Sequence, residues 1–364
     1  MANSGCRDAG GTRRVFVVTP FEDPAWRWLA PRLAAQPIEW TFHNLSLFGQ
    51  RQEHWLRAAW RAAPAAREHD LVISHHPYMT FHLALALLAR GIRRPHLAFS
   101  FNHGNKRFFR GLQLRAARRL FRDVDFFIVF SEGERRLFHE MYGIPLERLG
   151  FQHWAVQPPV LASAPQAGHP EEQPYLCCLG RNNRDFATFL AAVADLPVRA
   201  VLVCPRHALN GASVPSNVTV LSDLTMEACM RILAGAVASV VPILDATTGA
   251  GHITIVAAMQ LGRPQIVSRV ETVREYFFER VHGWAVEPRS PVALRAALQE
   301  LLGDPPLAAR MGTAAARFAN QWLSEAAAVR HLRAVLAAWR SARPYPLEPP
   351  GWSAYRAEAA AHVG

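Results

Sequence analysis

Short apolar runs and amphipathic stretches alternate along the chain. RRVFVVTP (Arg13–Pro20), DLVISHHP (Asp70–Pro77), HLAFSFNHG (His96–Gly104) and DFFIVFSEGE (Asp125–Glu134) each hold a compact apolar run that ends in polar or turn residues. Helical spacing fills the gaps between them, as in TFHLALALLARG and FRGLQLRAARRLFRD. Unbroken apolar strands that take turns with helices predict a parallel sheet covered on both faces.

The segment Gln157–Pro174 breaks this rhythm with five prolines and little apolar periodicity, which predicts a linker. A second series follows, with strand candidates YLCCLG, VRAVLVCP, NVTVL, ASVVPIL and PQIVS, and helices starting near Asp185, Met226 and Ile253. Ala-rich helices are expected over Ser290–Leu302 and Pro306–Arg343, and the Pro-rich PYPLEPPGW is expected to end the regular structure. The pattern predicts an α/β protein of two Rossmann-like domains, over residues 1–157 and 175–324, joined by a linker at 158–174 and followed by a C-terminal helix and tail at 325–364. Parallel sheets bind ligands beyond the carboxyl ends of their strands, so two such domains facing each other place the site in the cleft between them.

Composition narrows the choice. The chain has 364 residues, half of them hydrophobic and 19% charged, which excludes a disordered protein. The net charge of +11 favours anionic partners, whether nucleotide phosphates, anionic lipid or nucleic acid. Cys6, Cys177, Cys178, Cys204 and Cys229 form no CxxC pair and read as small buried hydrophobes in a reducing compartment. MANSGCRDAGGTRR lacks the apolar core of a secretory signal, and LALALLA and VASVVPIL are too short to span a bilayer. The expectation is a cytoplasmic protein, at most peripheral at the inner membrane face. Sixteen histidines show no HExxH or Cys/His ligand spacing, and the DVD at Asp123–Asp125 precedes a strand instead of following one, so no metal site is expected.

Two stretches carry phosphate chemistry. In CLGRNNRDFATFLAAV a strand ends at Gly180, Arg181 and Arg184 follow, and Asp185 is an N-cap candidate. Guanidiniums beside a helix start can hold phosphate oxygens in a bidentate fork; surface arginines near a helix are the plainer reading. In DATTGAGHITIVAAMQLG, Gly249 and Gly251 let the backbone approach a ligand at the start of a helix, where free N–H groups and the dipole favour an anion. Taken alone, that stretch could equally be a glycine turn before a buried helix.

The segments GRNNRDFATFLAAV, VVPILDATTGAGHITIVAAMQLGRPQIVS and HGWAVEPRSPVALRAALQELLGDPPLAARMGTAA resemble the donor domain of GT-B-fold glycosyltransferases of the family 4 type (glycosyl transferases group 1). Ala258, Met259, Gly262 and Pro264 carry its AM-x-x-G-x-P core. The resemblance implies a sugar transfer from a nucleotide-diphosphate sugar, with retention and without a metal or cofactor. It implies that Arg181, Arg184, Gly249, Ala250, Gly251, His252 and Thr254 bind the diphosphate and that Asp223 and Leu224 line the base pocket. Many relatives carry a Glu-x7-Glu pair that helps hold sugar and ribose hydroxyls; here those positions are Gly249 and Ala257.

The first half resembles the family less closely. His103, after the strand HLAFSFNHG, falls where the family has a histidine facing the cleft and is the catalytic candidate, with Asn102 beside it. His75, His76, Phe21 and Glu22 complete the acceptor side. The segment NKRFFRGLQLRAARRLFRD (105–123) interleaves arginines with Phe108, Phe109, Leu112 and Leu114 and fits an anionic membrane surface. No specific nucleic-acid motif is present. The alternatives are a GT-B nucleotide-sugar binding protein or epimerase without transferase activity, or a basic membrane-surface binder.

Overall fold

The computed structural model describes residues 11–19, 32, 37–45, 47–48, 51–103, 109–161, 174–246 and 249–361. Two six-stranded parallel sheets dominate it. The first is built from β1 (Arg13–Thr19), β2 (Ile38–Asn44), β5 (Leu71–His75), β6 (His96–Phe99), β7 (Phe126–Val129) and β8 (Leu149–Phe151), in the order β2-β1-β5-β6-β7-β8. A small antiparallel ribbon, β3 (Leu47–Phe48) with β4 (Arg51–Gln52), lies between β2 and β5 in sequence. The second sheet holds β9 (Tyr175–Leu179), β10 (Arg199–Val203), β11 (Val218–Leu221), β12 (Ala238–Val241), β13 (Gln265–Ser268) and β14 (Gly283–Val286), in the order β11-β10-β9-β12-β13-β14.

Central strands such as β5, β7, β12 and β13 are buried at every residue, because helices cover both faces of each sheet. In the first half these helices are α1 (Trp55–Ala62), α2 (Pro77–Ala89), α3 (Gly111–Leu120) and α4 (Glu132–Tyr142). In the second they are α5 (Phe186–Val193), α6 (Met226–Gly235), α7 (His252–Gln260), α8 (Pro291–Gly303) and α9 (Pro305–Trp322). Side-chain caps set many of the starts: Ser131, Asp185, Thr225, Ser290 and Asp304 each accept a backbone N–H of the first turn.

The C-terminal region departs from the expectation. The long helix expected over Pro306–Arg343 is broken at Leu323 and Ser324, where Ser324 caps a new helix, α10 (Glu325–Arg340). That helix packs on the first sheet, burying Val329, Leu332, Val335 and Leu336 against Val15, Val17, Leu71 and Ile73. Tyr345 stacks on Phe126 at 4.7 Å, and Phe151 N–H donates to Leu347 O at 3.0 Å. The Pro-rich stretch does not end the regular structure either: α11 (Trp352–Ala361) follows it, and Trp352 is fully enclosed among Phe151, His153, Phe318 and Trp322.

The halves meet along one continuous apolar core, in which Phe127 and Phe151 of the first sheet join Val241 of β12 and Ile255 and Val256 of α7. Polar contacts stitch the same junction. Tyr276 Oη donates to Phe130 O and accepts Trp154 N–H, both at 2.6 Å, and His153 Nε2 lies 3.1 Å from Glu275 O.

Candidate functional site

In the second sheet the strand order reverses between β9 and β12, the two strands that start from the centre and wind outward in opposite directions. Such a switch point opens a crevice at the carboxyl ends. The loops after these two strands are tied together there. Asp185 N–H donates to Pro242 O at 3.0 Å, Leu244 N–H to Asn183 O at 3.2 Å, and Asn183 Nδ2 to Asp245 O at 2.7 Å. Asn183 holds a left-handed φ of 52°, which turns the β9 loop back toward β12.

Arg184 lies in this crevice. Its side chain folds over the strand end into space that only glycine at 180 leaves free: a Cβ there would stand 2.5 Å from Arg184 Nε. Nη1 donates to Asn182 O at 2.9 Å and Nη2 reaches Thr254 Oγ1 at 3.4 Å. Nε is buried without a partner, and no acid pairs with the guanidinium among the described residues. Burial lowers its pKa, with the neighbouring Cys178 acting the other way.

Thr254 belongs to the first turn of α7. That helix starts at Gly251, whose φ of 99° only glycine takes readily, and no side chain caps it among the described residues. Its first amides therefore keep their donor capacity on the side of Arg184. Gly249 and Ala250 lead into this turn, while Thr247 and Thr248 lie outside the described residues. His252 contributes only its backbone to this face. Its ring turns inward, with Nε2 2.7 Å from Thr272 O, and stacks on Tyr276 at 4.5 Å; burial lowers its pKa to about 4.

Arg181 is exposed and lies close enough to α6 for its charge to oppose the burial that raises the Cys229 pKa. Asp223 and Leu224 follow β11, the far strand of the same carboxyl edge. Asp223 is exposed with φ 57°, and Leu224 is half-buried against the apolar cluster under α6.

The acceptor-side candidates are more scattered. His103 was expected to face the cleft. The structure encloses its ring among Phe101, Phe109, Phe138 and Tyr142, with Nε2 2.9 Å from Tyr142 Oη, and burial lowers its pKa to about 3. That is the setting of a packed, neutral histidine. His75 is also buried, with Nδ1 3.2 Å from Thr19 Oγ1 and a pKa of about 3. His76 is half-buried between Trp55 and Tyr78, at 4.8 and 5.6 Å, in an unusual backbone state of φ 85°. Phe21 and Glu22 lie outside the described residues. The DVD carboxylates serve local structure, Asp123 pairing with Arg119 at 3.1 Å and Asp125 accepting His96 N–H at 2.6 Å.

Asn102 does reach the junction, and it leads to a residue that sequence reasoning passed over. Its Nδ2 donates to Glu134, on the first turn of α4, beside Gly249. Ser131-x-x-Glu134 has capping-box spacing, which signals a helix start and says nothing of a carboxyl that crosses to the other half.

Both halves have counterparts among known proteins. The family model described as glycosyl transferases group 1 matches residues 173–304, and that of the glycosyl transferase 4-like domain matches residues 4–150. No curated protein matches the sequence significantly. Among solved structures, sucrose-phosphate synthase from Thermosynechococcus elongatus is similar with a TM-score of 0.71 and 16% identity, over 91% of this chain and 100% of that one. HepE from Anabaena in complex with UDP gives 0.67 and 16%, over 90% and 100%. A structure described as trehalose-6-phosphate from E. coli bound with UDP-2-fluoro glucose gives 0.62 and 14%, over 85% and 95%. With one family model matched by each half and the two-sheet fold shared, the chain belongs to the group 1 glycosyltransferases of the GT-B fold.

Proposed function

We propose that the protein binds a nucleotide-diphosphate sugar at the switch point of the second sheet and transfers the sugar to an acceptor hydroxyl at the strand ends of the first. Arg184 carries this reading: among the described residues it is a half-buried guanidinium without an acid partner, bonded to the first turn of a helix that no side chain caps. A diphosphate matches both demands, since its oxygens accept from the amides and its charge compensates the arginine. The UDP and UDP-2-fluoro glucose complexes of the structural neighbours favour a uridine nucleotide. Asp223 and Leu224 are placed at the base, and Arg181 at the outer side of the diphosphate.

In the transfer, the bond from the anomeric carbon to the diphosphate breaks and its electron pair goes to the leaving oxygen. Arg184 and the α7 amides stabilise that charge. With retention, the acceptor oxygen attacks from the side the diphosphate leaves, and its proton passes to the departing phosphate. His103 is given a packing role. His75 and His76 remain on the acceptor side, with Phe21 and Glu22, while Asn102 stands at the junction beside Glu134.

A panel of UDP-, ADP- and GDP-sugars, scored for nucleotide release and for a rise in melting temperature, tests the reading. If no donor or free nucleotide raises the melting temperature, the donor site does not exist.

One observation favours work at a lipid surface. On α3, Leu112 is 79% exposed beside the exposed Arg115, Arg118 and Arg119. No described helix is long and apolar enough to cross a membrane. A lipid-linked acceptor would be met by this helix lying on anionic headgroups. Binding to phosphatidylglycerol vesicles should then weaken steeply with salt, and binding indifferent to salt would count against it.

A further inference from the structure

Gly249 lacks the usual reason to be glycine. Its φ is not in the left-handed region that fixes Gly251. What excludes a side chain is the opposite half of the molecule. A Cβ at 249 would overlap Glu134 Oε1 and stand 2.5 Å from Asn102 Nδ2. The carboxyl of α4 occupies the space that a side chain at 249 would take.

Glu134 is fully buried and has no cation beside it among the described residues. Phe130 N–H donates to Oε2 at 2.8 Å, and Asn102 Nδ2 donates to Oε1. Burial pushes the carboxyl up to about 8, against the hydrogen bonds from Phe130 and Asn102 and aided by the charge of Glu275. A capping role accounts for the bond to Phe130 and for Ser131 accepting Glu134 N–H at 3.1 Å. It does not account for the second oxygen, held by an amide from β6's end against the bare Cα of another half's loop. Burying a carboxyl this way costs stability unless something offsets it, and no local requirement of α4 calls for it.

We propose that Glu134, paired with Asn102, is the hydroxyl-binding carboxyl of the donor site, delivered from the first half of the chain into the space glycine leaves at 249, so that the transferred sugar is recognised only when the two halves meet. This rests on the donor-site reading above. Gly249 precedes the α7 N-cap by two residues, at most about 7.6 Å of chain. A sugar bonded directly to a diphosphate on that helix start therefore has its hydroxyls within reach of position 249. A carboxyl and a primary amide side by side offer both donors and acceptors, which suits a polyol; neither suits the diphosphate as a counter-charge. The carboxyl is shielded from solvent in this structure, so binding of the sugar there requires the junction to part around the donor.

The test compares wild type with Glu134→Gln, Glu134→Ala and the double variant Glu134→Ala/Gly249→Glu. The probes are UDP, ADP and GDP, and their glucose, galactose and mannose conjugates, of which the pair with the largest melting shift is used. Glu134→Ala should bind the free nucleotide within about twofold of wild type while turnover falls about 10- to 100-fold, the effect of losing one buried hydrogen-bonding group. The double variant, which removes the overlap with Glu134, leaves only the Asn102 amide to shift and returns a carboxyl from the donor loop itself, should turn over at least about threefold faster than Glu134→Ala. Glu134→Gln keeps an acceptor for Phe130 N–H and should melt with wild type, which separates lost turnover from lost folding. Wild-type turnover in Glu134→Ala overturns the proposal. So does an equal loss of free-nucleotide binding in Glu134→Ala and the double variant, which would reduce Glu134 to a helix cap. A wild-type protein that binds no nucleotide overturns the donor-site reading itself.

Discussion

At the carboxyl edge of the second sheet, β9 and β12 give way to glycines and, among the described residues, to a helix without a side-chain cap and an arginine without an acid partner. At the same edge of the first sheet, β5 and β6 give way to histidines whose rings are already occupied, His75 by Thr19 and His103 by Tyr142. One edge keeps its hydrogen-bonding capacity and the other has spent it on packing. Residue type alone is therefore a poor guide to chemistry: the histidines look more reactive than a glycine, yet the glycine turn retains the unused donors.

The contrast can be broken most sharply with acid. Burial holds His75, His103, His153 and His282 at about 3, and His96, His252 and His331 at about 4. The unfolded chain protonates them first, so their contribution to stability is lost as pH falls from 6.5 toward 4, at about 1.4 kcal/mol per pH unit for each fully buried ring. Glu134 and Glu275, raised to about 8 and about 7 by burial, act oppositely: the folded chain holds protons the unfolded chain has released, and stability falls as pH rises from 4.5 through those values. Chemical denaturation across pH 4–9 should peak between about pH 6 and 7 and collapse on the acid side. A flat acid limb would mean the histidines are solvated.

Next in size is Arg184→Ala, which should weaken nucleotide binding or turnover about 10²- to 10³-fold with little change in melting. Calorimetry with UDP reads this directly; unchanged affinity would move the anion site elsewhere. His103→Ala should do the reverse, costing about 2–4 kcal/mol of stability through the cavity and the orphaned Tyr142 hydroxyl, with nucleotide affinity intact. Loss of turnover in a variant that still folds would restore His103 to the reaction. The smallest effect is expected of Arg181→Ala, at about three- to tenfold on nucleotide affinity, because an exposed guanidinium is screened by water.

The sheets were legible because strands covered on both faces must be apolar throughout, as FFIV in β7 is. The donor loop was legible because Gly249 and Gly251 punctuate it between a strand and a helix. β2 was not, since the edge strand IEWTFHN is half-exposed and lacks a continuous apolar run. Nor was the direction of His103: a strand-end position says where a side chain begins and not which layer it enters. The reason for glycine at 249 is invisible in its own segment, because the atom that excludes a side chain belongs to Glu134 in the other half. α11 was missed because the prolines before it mark a turn in the path and not an end to structure.

The return of α10 to the first sheet bears on how the chain is made. During synthesis Val15, Val17, Leu71 and Ile73 leave the ribosome early, but the helix that covers them carries Val329 to Leu336 and comes near the end. At about 5–20 residues per second, that apolar face waits on the order of tens of seconds for its cover. Until then the nascent first half is an incomplete core with an open flank, and the arrival of α10, not the pairing of the strands, sets the moment at which that flank is covered.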